Sequence, residues 1–195
     1  MTKHAALGAV LVLLAAGWAE ARVYLTVQQA LDGAFPPPAG VERRTLYLDE
    51  AQAREAAGAS GAPVESRVVP YYIGSSGDRV VGYAYFDTHL VRTLPETILV
   101  LVAPDGGLRR IEIVSFDEPE DYLPTDRWLK QFPGRTLQEL GAGKGIRALT
   151  GATLSSRAVT QAARRVLALH RLFVAPAAAP APAGTPSGGE PKAGP

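Results

Sequence analysis

Apolar positions recur with different spacings along the chain, and each spacing predicts a different element. Thr26 offers a cap for a short helix through Leu31 to Phe35, halted by Pro36-Pro37-Pro38. Val41 to Leu48 alternates loosely. Asp49 starts a helix through Glu55 that ends near Gly58, and the Gly/Ala/Ser run after it reads as a loop. From Val64 the period becomes two. Ser66 to Ile73 and Arg79 to Phe86 are strands around a turn at Gly74 to Asp78. Ile98 to Ala103 is an apolar run short enough for a buried strand, and Leu108 to Phe116 alternates again after a tight Asp105-Gly106-Gly107 turn. Farther on, Thr125 or Asp126 caps a short helix carrying Trp128 and Phe132, which Pro133-Gly134 closes, and Thr136 starts a further helical turn. A longer helix runs to Phe173, with Val159, Ala162, Ala163, Val166, Leu169 and Phe173 on its apolar face. Strands followed by helices predict an α+β class: a twisted antiparallel sheet of two successive hairpins packed against the C-terminal helix and short helices.

Both ends depart from this pattern. Met1 to Ala21 has a basic start, an apolar run from Ala5 to Trp18 and a closing Ala19-Glu20-Ala21. That is the layout of a secretory signal peptide cleaved before Arg22, and the run is shorter than the roughly 20 residues of a membrane span. The expected location is therefore outside the cytoplasm, in the periplasm or on the extracytoplasmic face of a membrane. Val174 to Pro195 contains 17 Ala, Pro or Gly among its 22 residues and reads as a disordered tail. The expected organisation is residues 1–21 as signal peptide, 22–63 as a helical and extended subregion, 64–173 as the main domain and 174–195 as tail.

Composition narrows the chemistry. Cysteine is absent, which excludes disulfides, thiolate zinc sites, iron–sulfur clusters and a Cys nucleophile. Lys and Arg number 20 against 19 Asp and Glu, for a net charge of +1, so no general electrostatic footprint for nucleic acid exists. His89 and His170 lack metal-ligand spacing, and Glu118, Glu120 and Asp121 read as a solvated acidic loop. Gly141-Ala142-Gly143-Lys144-Gly145 lacks the spacing of a phosphate loop and reads as a connector.

One segment stands out: Ile146-Arg147-Ala148-Leu149-Thr150-Gly151-Ala152-Thr153-Leu154-Ser155-Ser156. Hydroxyl residues surround a Gly-Ala step at the mouth of the last helix. Gly151 allows a sharp turn and a close approach to a ligand. The first N–H groups of a helix are unpaired and favour an anion. Thr150, Thr153, Ser155 and Ser156 supply hydroxyls, and Arg157 adds a cation. The segment therefore reads either as a phosphate seat or as a plain helix cap, since Thr and Ser are common caps.

Thr150-Gly151-Ala152-Thr153, followed by Leu154-Ser155-Ser156, resembles the [S/T]-G-A-T signature of the FMN-binding domain family, which includes flavin-carrying subunits of sodium-pumping quinone reductase and of ferredoxin-linked respiratory complexes. Val81-Gly82-Tyr83, Asp105-Gly106-Gly107-Leu108 with Ile113, Glu118-Pro119, and Trp128, Phe132 and Gly134 resemble other parts of its pattern. The resemblance covers about Val64 to Phe173. It implies FMN as cofactor, esterified through its phosphate to Thr153 by a separate flavin transferase. It also implies electron exchange with a membrane redox complex or another electron-transfer protein. Thr150, Gly151, Ala152, Leu154, Ser155, Arg147, Arg157 and Glu118 are candidate cofactor contacts. Tyr122, Trp128 and Phe132 are candidates to pack on the ring, with a core role as the alternative for the last two. The family usually has Asp where this chain has Arg147; an arginine can pair bidentately with a phosphate. A non-redox extracytoplasmic binding module of the same fold, without covalent flavin, is the alternative that Arg147 favours.

Overall fold

The computed structural model describes residues 22–140 and 145–178. The expected signal peptide and most of the expected tail lie outside these residues, as does most of the Gly141–Gly145 connector. Local sequence signals set the first two helices. In α1 (Val27–Ala34), Thr26 and Gln29 cap each other's backbone reciprocally, and Asp49 and Gln52 do the same for α2 (Glu50–Ser60). α2 runs past Gly58 and stops at Gly61, whose positive φ of 66° ends it in a left-handed cap.

Six strands form one antiparallel sheet in the order β1-β6-β5-β4-β3-β2. They are β1 (Arg22–Val23), β2 (Gly40–Tyr47), β3 (Val68–Ser76), β4 (Arg79–Leu90), β5 (Pro95–Val102) and β6 (Leu108–Phe116). β2 to β6 form a meander, and β1 returns to the far edge, with Arg22 opposite Phe116 and Val23 opposite Ser115. The two expected hairpins are therefore the centre of a wider sheet. The segment 22–63 is woven into it, supplying both edge strands and α1.

Each face of the sheet has its own cover. On one face Leu31 and Phe35 of α1 pack with Ala84, Leu99, Leu101 and Val114. Gly74 permits this close approach: a Cβ there would lie 2.2 Å from the Phe35 ring. On the other face α4 (Thr153–Leu169) lays Val159, Ala162, Ala163, Val166 and Leu167 over Tyr83, Tyr85, Ile98, Val100 and Val102. Its small residues let the helix sit close to the sheet, and each fully buried aliphatic side chain contributes ~2 kcal/mol. α3 (Asp126–Leu129) adds Trp128 and Leu129 to this core.

Several boundaries differ from the periodicity reading: β3 runs on to Ser76 through residues expected as turn, and β5 starts at Pro95 instead of Ile98. β4 continues to Leu90, four residues past Phe86. α3 ends at Leu129, so Phe132 follows the helix in a turn. After α4 the chain takes a π turn at His170–Val174 and a last helical turn, α5 (Ala175–Ala178); Val174, expected at the head of the tail, is buried. Among the described residues, no helix is long and apolar enough to cross a membrane.

Candidate functional site

The last helix starts unlike the others. Where α1 to α3 each use a Thr or Asp side-chain cap, α4 has Ala152 at its N-cap and no side-chain cap. Among the described residues, the N–H groups of Thr153, Leu154 and Ser155 find no acceptor. The first that does is Ser156 N–H, 3.0 Å from the Ala152 carbonyl. The plain-cap reading of these hydroxyls therefore fails. Ser155 is 1% exposed and its Oγ has no partner, an orphaned buried hydroxyl two residues beyond Thr153. Ser156 Oγ instead donates back to the Thr153 carbonyl at 2.9 Å. Open amides at the positive end of a 17-residue helix dipole, beside an unsatisfied hydroxyl, favour an anion there.

The loop before the helix is pinned on both sides. Ile146 and Leu149 pack against the main core. Between them the backbone of Arg147 is clamped: its carbonyl accepts from Trp128 Nε1 at 2.6 Å, and its N–H donates to Gln131 Oε1 at 3.0 Å. Gly151 turns the chain with φ 84°, a conformation that a side chain would strain. Thr150, Gly151, Thr153, Leu154 and Arg157 are exposed, while Ala152 is buried. The Arg147 side chain is also exposed and makes no hydrogen bond or ion pair among the described residues.

The aromatic candidates divide. Trp128 and Phe132 meet edge to face at 5.1 Å, and both are core residues. Phe132 is 0% exposed, so neither face of its ring is open. Trp128 acts on the signature loop through its indole N–H. Glu118 and Tyr122 belong to a separate cluster at the β4–β5 turn. Glu118 Oε1 accepts from the N–H groups of Arg92, Thr93 and Leu94 at 3.2, 2.7 and 2.9 Å. Burial pushes the Glu118 carboxyl up, but these donors outweigh it and hold the group below its ordinary range. The Arg92 guanidinium lies 4.6 Å from the centre of the Tyr122 ring.

A buried charged cluster escaped the sequence reading. Arg165 of α4 grips Asp87 through both carboxylate oxygens, at 2.9 and 2.6 Å. His89 bridges Asp87 (3.0 Å) and Glu96 (3.2 Å). Burial works against the charged form of His89, yet its two carboxylate partners raise it to about 9, so it is protonated at neutral pH. Burial also opposes the ionised Asp87, but His89 and Arg165 hold it low. Burial raises Glu96 despite His89. The signal was parity: Tyr83, Tyr85, Asp87 and His89 alternate along β4, so charges follow aromatics onto the inner face. Deeper in, His170 shares a 2.9 Å hydrogen bond with the Tyr85 hydroxyl, and burial lowers it to about 4.

These features test whether FMN fits. Three open amides and an orphaned hydroxyl suit a phosphate, and Thr153, in the same first turn, is exposed. A phosphate here would be held by the first turn of α4. A comparison with curated proteins finds no significant match. Residues 94–168, which hold β5, β6, α3, the signature loop and nearly all of α4, match the family model for the FMN-binding domain; the chain thus carries an FMN-binding domain, which indicates FMN as its cofactor.

Proposed function

We propose that the chain is an exported flavoprotein whose FMN is joined by a phosphoester to Thr153, attached by a separate flavin transferase, and that it carries electrons between a membrane redox complex and another electron-transfer protein. The observation that carries this reading is the uncapped start of α4, with its open amides and the buried Ser155 hydroxyl, beside an exposed Thr153. When bound, FMN supplies one- or two-electron redox chemistry. The chain's own residues do the rest. A phosphodiester keeps one negative charge, which the helix start neutralises. Trp128 and Gln131 fix the loop so that the Thr153 hydroxyl stands at a set place. Among the described residues that hydroxyl has no base within its hydrogen bonds, and an unassisted alcohol is a poor nucleophile, which is why an outside enzyme is proposed. A tether also suits an exported protein, because it replaces equilibrium binding by a fixed high local concentration.

The test is co-expression with a flavin transferase followed by intact-mass and visible-absorbance measurements. The expected result is a gain of one FMN less one water, abolished by Thr153→Ala. Dialysable flavin would point to noncovalent binding. A colourless, unmodified chain with no affinity for FMN would instead favour the second reading, a non-redox binding module, for which Arg147 in place of the family's usual Asp is the supporting observation.

A further inference from the structure

Charge is distributed unevenly about this site. The described residues from Asp126 to Arg157 carry five cations (Arg127, Lys130, Arg135, Arg147 and Arg157) against two carboxylates, Asp126 and Glu139. The remaining described residues carry twelve cations against fifteen carboxylates. The near-zero net charge therefore hides a basic segment around the signature and an acidic remainder. Among the described residues, none of the five cations makes an ion pair; the ion pairs of the fold lie at Arg22, Arg44, Arg54, His89, Arg110 and Arg165. Arg127, Lys130, Arg147 and Arg157 are exposed.

Part of this charge is concave. Lys130, Arg135 and Arg147 line a cavity of about 440 Å³ between the end of α3 and the signature loop. The carboxylate in its wall, Glu139, is turned to Thr136, accepting from its N–H at 2.8 Å and its hydroxyl at 2.9 Å. Next to Thr153, Leu154 is 48% exposed and stands one helical turn before Arg157 on α4. Cations that line a concavity without ion-pair partners among the described residues suit a transient, electrostatically steered protein contact.

We infer that this basic surface, formed by Lys130, Arg135 and Arg147 around the cavity beside the signature loop, docks the acidic surface of a partner protein. That the partner is a redox protein rests on the proposed function; the docking face itself does not. Unpaired cations around the cofactor turn raise the encounter rate with an acidic partner and orient it toward the site, and such an effect weakens over a Debye length as salt rises.

The test uses the flavin-free chain and a fluorescein-labelled dodecaglutamate peptide, read by anisotropy at low and at physiological salt. Binding at low salt should fall about tenfold or more in K130E/R147E, and salt should weaken the wild type steeply. R43E/R67E changes net charge equally on the β2–β3 side, where both arginines are exposed, and should bind almost as the wild type does. K130Q/R147Q gives a second reading if charge reversal disturbs folding. Equal losses in the two double variants, or salt-insensitive binding, would overturn the inference. So would affinity for phosphatidylglycerol vesicles with none for the peptide. Failure of flavin attachment with peptide binding intact would sink the proposed function and leave the docking face standing.

Discussion

At the scale of single residues, Ser155, His89 and His170 each give a separate expectation. Ser155 keeps a buried hydroxyl unsatisfied, which costs ~1–3 kcal/mol unless a ligand accepts or donates there. Ser155→Ala should therefore leave the flavin-free chain as stable or more stable, while reducing the stabilisation that added FMN confers. Thermal melts with and without FMN read both quantities. A variant with lower stability alone and an unchanged FMN effect would remove Ser155 from the site. His89 and His170 set the pH response from opposite sides. His89 is raised to about 9, so its stabilising share is whole below its unfolded value near 6.5 and is lost as pH rises through 9. His170 is lowered to about 4, so the unfolded chain takes up the extra proton and stability falls as pH drops from about 6.5 toward 4. Asp87, held low, adds to the acid loss once pH approaches the folded carboxyl's range. Urea midpoints should thus peak near neutrality. His89→Gln should lower the peak and flatten the alkaline limb, and an unflattened limb would show that another group governs it.

At the scale of elements, the legible parts were those written locally. Reciprocal Thr26–Gln29 and Asp49–Gln52 pairs place two helix starts, and alternation places β6 at Leu108–Phe116 to the residue. The illegible parts are those that long-range contacts decide. The Asp87 and His89 charges hide the last third of β4, because the Arg165 that pairs with Asp87 is 78 residues away. Two-residue β1 has no periodicity to read, and exists because the β6 edge accepts it. Glu118 stood beside the flavin candidates in the sequence; its carboxylate is occupied by the β4–β5 turn, a role that only the folded turn reveals. The open start of α4 was likewise hidden, since Thr and Ser cap most helices in which they stand there. Packing between elements gives a further expectation. Gly74→Ala would put a Cβ 2.2 Å from Phe35, so β3 or α1 must shift, at a cost of ~2 kcal/mol. Phe35→Ala alone should also destabilise, by cavity formation. The double variant should lose less than the sum in urea denaturation; additive losses would show that the two residues do not share the strain.

At the scale of the whole molecule, the matched segment is not a self-sufficient unit. Residues 94–168 contain β5, β6, α3 and most of α4, but β5 pairs along its length with β4, and Leu99 and Leu101 are covered by α1. The isolated segment should lack a native-like fold, with poor near-ultraviolet dichroism and dispersion, whereas 22–178 should be cooperative. A well-dispersed spectrum from the fragment would contradict this. Within the complete sheet, Thr153 is exposed at the start of α4, just after a loop fastened at Arg147 by Trp128 and Gln131. With the proposed attachment at Thr153, maturation would separate into two stages with no competition between them. On that proposal the polypeptide would finish folding and could be stockpiled colourless, and a modifying enzyme would colour it later without having to open it.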